Sequence, residues 1–511
     1  MEEFHTLFKR YATVTMQRNY EDAIRILDSK RRLNRPVSSA SKYTLNQSAT
    51  SPSPNASPIT SGLRGSPNIE GMSEWLSALG HSDEDLNGLN IIHVAGTKGK
   101  GSTTSFISSF LMAHAQRTGY PLKVGLYTSP HLIHPEERIR INSCPIDRDL
   151  FAKYFFELYD HLPQLKEEYD PMKPPVDRGP RYLQLWALLA FHVFIRQNVD
   201  AAIIETHSGG EYDATNVVKN PIVTAITTLG MDHIIMLGPT IENIAWHKGG
   251  IYKTGALALS TVQLSAVTAM LKHRAEEKGE TVRFIDEDDR LPKDALQLRP
   301  SVQRKNASLA LAAAEAFLVR KAPNGTARLS EVDVARGVQQ WSWPGRFQIV
   351  PDGVRTWFVD AAHNDMSVRL AAEWFATSAK ELQRTKTSTP IRVLIFSHIN
   401  ELRDAISVLQ SLAKALVDHD AGIQHAIFTT YSLTIEDPPQ SMKQVEQFGQ
   451  VWKNWHPNTS VWKEARIADA LDRAKQLGEP DREVQTLITG SHHLIGPALQ
   501  LLEFRGRAFT P

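Results

Sequence analysis

The chain has 511 residues and one cysteine, Cys144. An intramolecular disulfide is therefore excluded, and a cysteine-built zinc site loses its basis. Such a chain suits a reducing compartment. No apolar run approaches the roughly 20 residues of a membrane-spanning helix. Charge of one sign is also lacking: 57 Lys and Arg face 56 Asp and Glu. No overall field draws in nucleic acid or an anionic membrane, so any anionic ligand needs a local site. The opening stretch, MEEFHTLFKRYATV, has no apolar segment of a secretory signal. Glu2 and Glu3 argue against a transit peptide. A cytoplasmic protein is expected.

What is present is ordinary globular composition, 41% hydrophobic and 22% charged, spread over a length that predicts two domains. Residues 19–33 carry helical apolar spacing. Residues 35–68 are rich in Ser, Pro and Asn and predict a disordered insertion. From residue 69 onward, apolar strands alternate with amphipathic helices. NIIHVAG, LKVGLYTS, DAAIIET and IVTAITTL read as strands; STTSFISSFLMAHAQ, LQLWALLAFHVFIRQ and NASLALAAAEAFLV read as helices. This alternation predicts an α/β fold with a mostly parallel, doubly wound sheet, whose ligands sit at the carboxyl ends of strands. WSWPGRFQIV, with Pro344 and Gly345, reads as a hinge. After it TWFVDAAH, IRVLIFS, QHAIFTT and VQTLITG restart the pattern. The expected division is a P-loop ATPase-like domain over 1–342 and a smaller Rossmann-like α/β domain over 343–511. No internal repeat is visible.

HVAGTKGKGSTTSF, residues 93–106, places a glycine loop between strand and helix. Backbone N–H groups there, aided by the helix dipole, bind phosphate oxygens. Gly96, Thr97, Lys98, Gly99 and Gly101 form the loop. Lys100 can bridge outer phosphates, and Ser102 or Thr103 can reach a magnesium ion. The loop departs from G-x-x-x-x-G-K-[ST], since Val94 takes the first glycine's place and Gly101 follows the lysine. The plain alternative is a glycine turn without a ligand.

HVAGTKGKGST resembles the ATP loop of the Mur ligase superfamily, G-T-x-G-K-[GT]-[ST]. LYTSPHL followed by EERIRIN narrows the resemblance to folylpolyglutamate synthases and the related dihydrofolate synthases. DATNVV, TTLGMDH, IAWHKGGIYKTG, NASLALA, WPGRFQ, DAAH and TGSHHL follow in family order, as in a divergent eukaryotic, fungal-type member. The resemblance implies an ATP- and Mg2+-dependent amide ligase. A carboxylate attacks the γ-phosphate, and an amine, normally that of L-glutamate, attacks the resulting acyl phosphate. Substrates would be a folate-like acid, L-glutamate and ATP, handled by a monomer without nucleic acid or membrane, in the cytoplasm or also the mitochondrion. A monovalent cation such as K+ is compatible with it.

Carried over residue by residue, the resemblance implies magnesium ligation by Ser129, Glu205 and His233, beside Ser102. Glu205, an acid ending a buried strand, otherwise reads as a salt-bridge partner; His233 alone would read as structural. Lys248 matches a lysine that is carbamylated in relatives, which requires a neutral amine and so burial. Gln303 and Asn306 match adenine contacts, Arg346 a phosphate-reaching arginine, and Asp360 and His363 ribose and phosphate contacts. Ser491 is a weaker candidate near the substrates. Together Lys100, His233, Lys248 and Arg346 form the expected catalytic set.

The sequence departs from the family pattern at ETHSGGEYDATN, where E-V-G-x-G-G-R-x-D-x-T-N is usual. Glu211 replaces the arginine, a two-unit charge change expected to fall near a metal and a polyanion. His247 replaces Glu or Gln, and Val302 a common His. These departures leave open another acid or amine, as in a dihydrofolate synthase or a specialised ligase, and also an inactive nucleotide-binding paralogue.

Overall fold

A computed structural model describes residues 16–31, 63, 67–167, 170, 172–323, 326–383, 389–399, 404–434, 440–477 and 482–503. The predicted insertion 35–68 lies outside these residues, save 63, 67 and 68. The described chain divides into two units. The first holds residues up to Pro130, Pro135–Pro292 and Lys305–Gln339; the second holds His131–His134, Lys293–Arg304 and those from Gln340 on.

Eight strands build the sheet of the first unit: β1 (Ile92–Ala95), β2 (Val124–Tyr127), β3 (Ile139–Ile141), β4 (Cys144–Pro145), β5 (Ala201–Glu205), β6 (Val223–Ile226), β7 (Leu257–Thr261) and β8 (Val282–Ile285). Their order is β4-β3-β2-β5-β1-β6-β7-β8. From β2 to β8 all neighbours are parallel; β3 and β4 add an antiparallel edge. β1, β2, β5 and β6 are buried at every position, as strands covered on both faces must be. One apolar cluster, with Phe151, Phe155, Trp186 and Phe191, packs with helices Arg148–His161 and Tyr182–Arg196. Another, with Tyr252, Met270 and Leu271, takes in helix Ser265–Glu276. The chain moves from β1 outward to β2 on one side and later to β6 on the other. β1 therefore stands at the switch in strand order, where open α/β sheets place a ligand.

The second unit has β9 (Gln348–Asp352), β10 (Arg355–Asp360), β11 (Ile391–Phe396), β12 (His425–Thr429), β13 (Ser460–Glu464) and β14 (Val484–Thr489), ordered β13-β12-β11-β14-β10-β9. Only β9 runs antiparallel. The period of two is visible in its cores: Phe358, Leu394 and Phe428 enter one apolar cluster, Trp357, Val359, Val393 and Ile427 the other.

Candidate active site

The glycine loop leaves β1 and runs into helix Lys100–Thr118. Gly99 caps that helix with φ +92°, a left-handed conformation that glycine adopts without steric cost. A Cβ at Gly99 would lie 2.2 Å from the Asn306 side-chain oxygen, so the buried amide of Asn306 is seated against the loop. Thr97 and Lys98 each donate a backbone N–H to the Thr228 carbonyl at 3.1 Å. Thr97 Oγ1 donates to the Gly230 carbonyl at 3.1 Å and accepts from Gly230 N at 3.2 Å. The loop is thus fastened to the segment after β6 before any nucleotide arrives. Sequence reasoning missed this anchor: TTLG was legible as a motif, but its carbonyls carry no sequence signal.

Two lysines converge on one carbonyl. Lys100 Nζ donates to Gly96 O at 3.1 Å, and Lys248 Nζ donates to the same oxygen at 2.8 Å. Lys100 Nζ also lies 3.9 Å from Glu205 Oε1, and Lys98 Nζ lies 3.5 Å from Asp232 Oδ2. Lys248 is 3% exposed. Burial first, then the neighbouring positive charge of Lys100, pushes its ammonium down to about 7. Three cations with two nearby carboxylates make a local positive site in a chain of nearly neutral charge. Ser102 and Thr103 stand in the first helical turn, and the buried Thr103 Oγ1 has no hydrogen-bond partner among the described residues.

Glu205 is 4% exposed at the end of β5, and its Oε2 accepts the backbone N–H of Ser129 at 3.3 Å. His233 is exposed in a left-handed turn with φ +52°. Its backbone N–H bonds Asp232 Oδ1 at 2.9 Å. Among the described residues no group of three or more His, Cys, Asp or Glu side chains forms a ready-made ion cage. This donor set fits magnesium better than calcium: magnesium keeps few protein ligands and takes substrate phosphate oxygens for the rest.

The expected charge conflict at Glu211 does not arise. Glu211 pairs with Arg274, whose side chain is 6% exposed and also pairs with Glu277. Its guanidinium lies 4.4 Å over the Trp246 ring. The two-unit change read from the sequence is answered by a cation 63 residues along the chain, which no local pattern reveals. His247 is buried between Tyr212 and Trp246, its ring 5.5 and 5.1 Å from theirs, and its carbonyl accepts Glu211 N at 2.7 Å.

In the second unit, Arg346 donates to His492 Nε2 at 2.9 Å. Asp360 Oδ2 accepts Phe347 N at 3.0 Å and so holds the turn after Arg346. His363 donates Nδ1–H to the Ala361 carbonyl at 2.8 Å, and its ring lies 5.5 Å from that of His492. Ser491, buried, accepts His493 N at 3.1 Å. Gln303 and Asn306 lie a turn apart on helix Ser301–Lys321, both buried; Val302 is beside them.

A mostly parallel sheet, a glycine loop at its switch point and a second buried lysine on the loop define a Mur-ligase-type nucleotide-dependent ligase. The comparisons agree. The folylpolyglutamate synthase of Neurospora crassa is 37% identical over 525 residues, covering 98% of this chain and 94% of that protein. The probable folylpolyglutamate synthase of Schizosaccharomyces pombe is 36% identical over 464 residues, covering 86% and 89%. The chain belongs to the folylpolyglutamate synthase family and is a ligase. Among solved structures, the Mycobacterium tuberculosis folylpolyglutamate synthase complexed with ADP and AMPPCP aligns with TM-score 0.66 at 23% identity, covering 86% of this chain and 96% of that one. The E. coli FolC in complex with DHPP and ADP aligns at 0.60 and 24%, covering 86% and 99%; both show the shared fold. No protein-family model matches the chain. Among the described residues no helix is long and apolar enough to cross a membrane.

Proposed function

We propose that the chain joins L-glutamate to the γ-carboxylate of a folate-type acid, spending ATP and forming ADP and phosphate through an acyl phosphate. One observation carries the reading: the convergence of Lys100 and buried Lys248 on the Gly96 carbonyl. A kinase or motor loop needs one lysine on its phosphates. The second, pushed down to about 7, is available as a neutral amine near neutral pH. Such an amine can take up CO2, lose a proton and become a carbamate, an anion made from a cation.

In this reading Gly96, Thr97, Lys98, Gly99, Gly101 and Thr103 cradle the phosphates, with Asn306 and Gln303 toward the base. Lys100 and Arg346 hold the γ-phosphate as charge develops on it. Asp360 and His363 support ribose and phosphate from residues 343–511, with 1–342 carrying the loop. Glu205, Ser102, Ser129, His233 and the Lys248 carbamate would hold magnesium, which withdraws charge from phosphate oxygens when bound. The acid's carboxylate attacks the γ-phosphorus, ADP leaves, and the glutamate amine then displaces phosphate from the acyl carbon. Positioned donors serve both steps, and no side-chain nucleophile is needed.

The test incubates purified chain with ATP, Mg2+, tetrahydrofolate and glutamate, following phosphate release and product mass. Glutamate-dependent phosphate release with a one-glutamate mass gain is expected. Product only from dihydropteroate would make it a dihydrofolate synthase. ATP binding without turnover on any acid would make it an inactive paralogue.

A further inference from the structure

The segment THSGG, which departs from the family pattern, builds a buried polar chain across three neighbouring strand ends. Tyr127 closes β2, Glu205 closes β5, and the strands are adjacent and parallel, with Tyr127 in register with Ile204. Tyr127 is fully buried and its hydroxyl donates to His207 Nε2 at 2.6 Å. His207 has a side chain 4% exposed, with Nδ1 3.3 Å from Asp213 Oδ1. Asp213 Oδ2 accepts the backbone N–H groups of His207 at 3.0 Å and Ser208 at 2.9 Å. Its Oδ1 accepts Thr215 N at 3.0 Å and Thr215 Oγ1 at 2.7 Å. With its proton given to Asp213, the Thr215 hydroxyl accepts from His93 Nε2, 2.9 Å away on β1.

The directions are fixed by elimination. Asp213 is saturated with donors; burial alone would raise its carboxyl, yet His207, Ser208 and Thr215 hold it well below the usual range. An ionised Asp213 makes His207 donate from Nδ1, which leaves Nε2 to accept from Tyr127. The chain therefore links β2, β5 and β1 in their sheet order, beside the glycine loop.

We infer that Tyr127, His207 and Asp213 are positioning residues: their clamp fixes Glu205 and the Ser129 loop in the geometry that receives the nucleotide-bound metal. This rests on the ligase reading above. Ser129, two residues beyond Tyr127, donates its backbone N–H to Glu205, two residues before His207. Both ends of the clamp are thus attached to the same carboxylate's surroundings. Packing alone does not need this chain, since an apolar side chain fills space without the desolvation that a buried phenol, imidazole and carboxylate incur. Directional bonds instead hold strand ends in one register.

The test titrates Mn2+ by electron paramagnetic resonance into the full chain with a non-hydrolysable ATP analogue, and measures kcat and KM in parallel. Tyr127→Phe removes one oxygen and keeps the fold-filling ring. It is expected to weaken Mn2+ binding and lower kcat, each by about fivefold, with analogue binding without metal unchanged. His207→Ala is expected to cost about tenfold or more, and His207→Gln, which keeps one donor and one acceptor, to recover most of it. Mn2+ affinity and kcat both within about twofold of wild type for Tyr127→Phe and His207→Ala overturn the clamp, even if melting temperatures fall. If wild type makes no ligase product, the ligase reading fails, while the Mn2+ titration still decides the clamp.

Discussion

Lys248 and Gly96 are 152 residues apart in sequence, and the amine of one donates to the carbonyl of the other at 2.8 Å. That bond brings helix Ile241–Gly249 onto the glycine loop and sets Lys248 beside Lys100. Removing Lys100 with Lys100→Ala should lower kcat by about 100-fold or more, because a cation aimed at developing phosphate charge is lost. Lys248→Ala should lower it comparably while the protein stays folded. Wild-type turnover should fall in CO2-depleted buffer and return with bicarbonate, as a steady-state assay would show.

Gly99 has no room for a side chain. Its φ of +92° and the Asn306 oxygen 2.2 Å from a modelling-free ideal Cβ position act together. Gly99→Ala should cost at least about 2 kcal/mol and displace Asn306. Chemical denaturation would measure the first and ATP-analogue affinity the second.

The Glu211–Arg274 pair predicts a charge-swap result. Arg274→Met leaves Glu211 without its cation and should destabilise the fold by about 1–3 kcal/mol. Glu211→Arg, although it restores the family's usual residue, sets two guanidiniums together and should be worse. The double variant Glu211→Arg with Arg274→Glu should recover much of the loss in thermal unfolding.

His93 on β1 is fully buried, and burial, partly opposed by Asp213, lowers its imidazolium to about 3 from 6.5. The unfolded chain therefore binds a proton that the folded chain refuses between those two values. This group's contribution to stability is complete above about 6.5 and is lost as pH falls toward 3. His93→Leu should lose less melting temperature than wild type between pH 7 and pH 4.5, beyond any constant offset from its lost bond to Thr215.

Much of the fold could be read directly from pattern. β1, β2, β5, β6, β10, β11, β12 and β14 are short apolar runs flanked by turn residues, and each was expected. β7, β8, β9 and β13 were not, nor the edge pair β3 and β4. β8, β9 and β13 have part-exposed, mixed sequences, and β4 has two residues. Their strand character comes from pairing with a neighbour, a non-local fact.

The sequence by itself determined the α/β class, the loop and the ordered motifs, because each depends on local periodicity or contiguous residues. Tertiary structure alone decided that Lys248 shares an acceptor with Lys100, that Glu211 is answered by Arg274, and that Tyr127, His207 and Asp213 join into one chain. Those relations depend on distance through space. Burial then sets their strength, by removing the water that would otherwise compete for every one of these charges and hydrogen bonds.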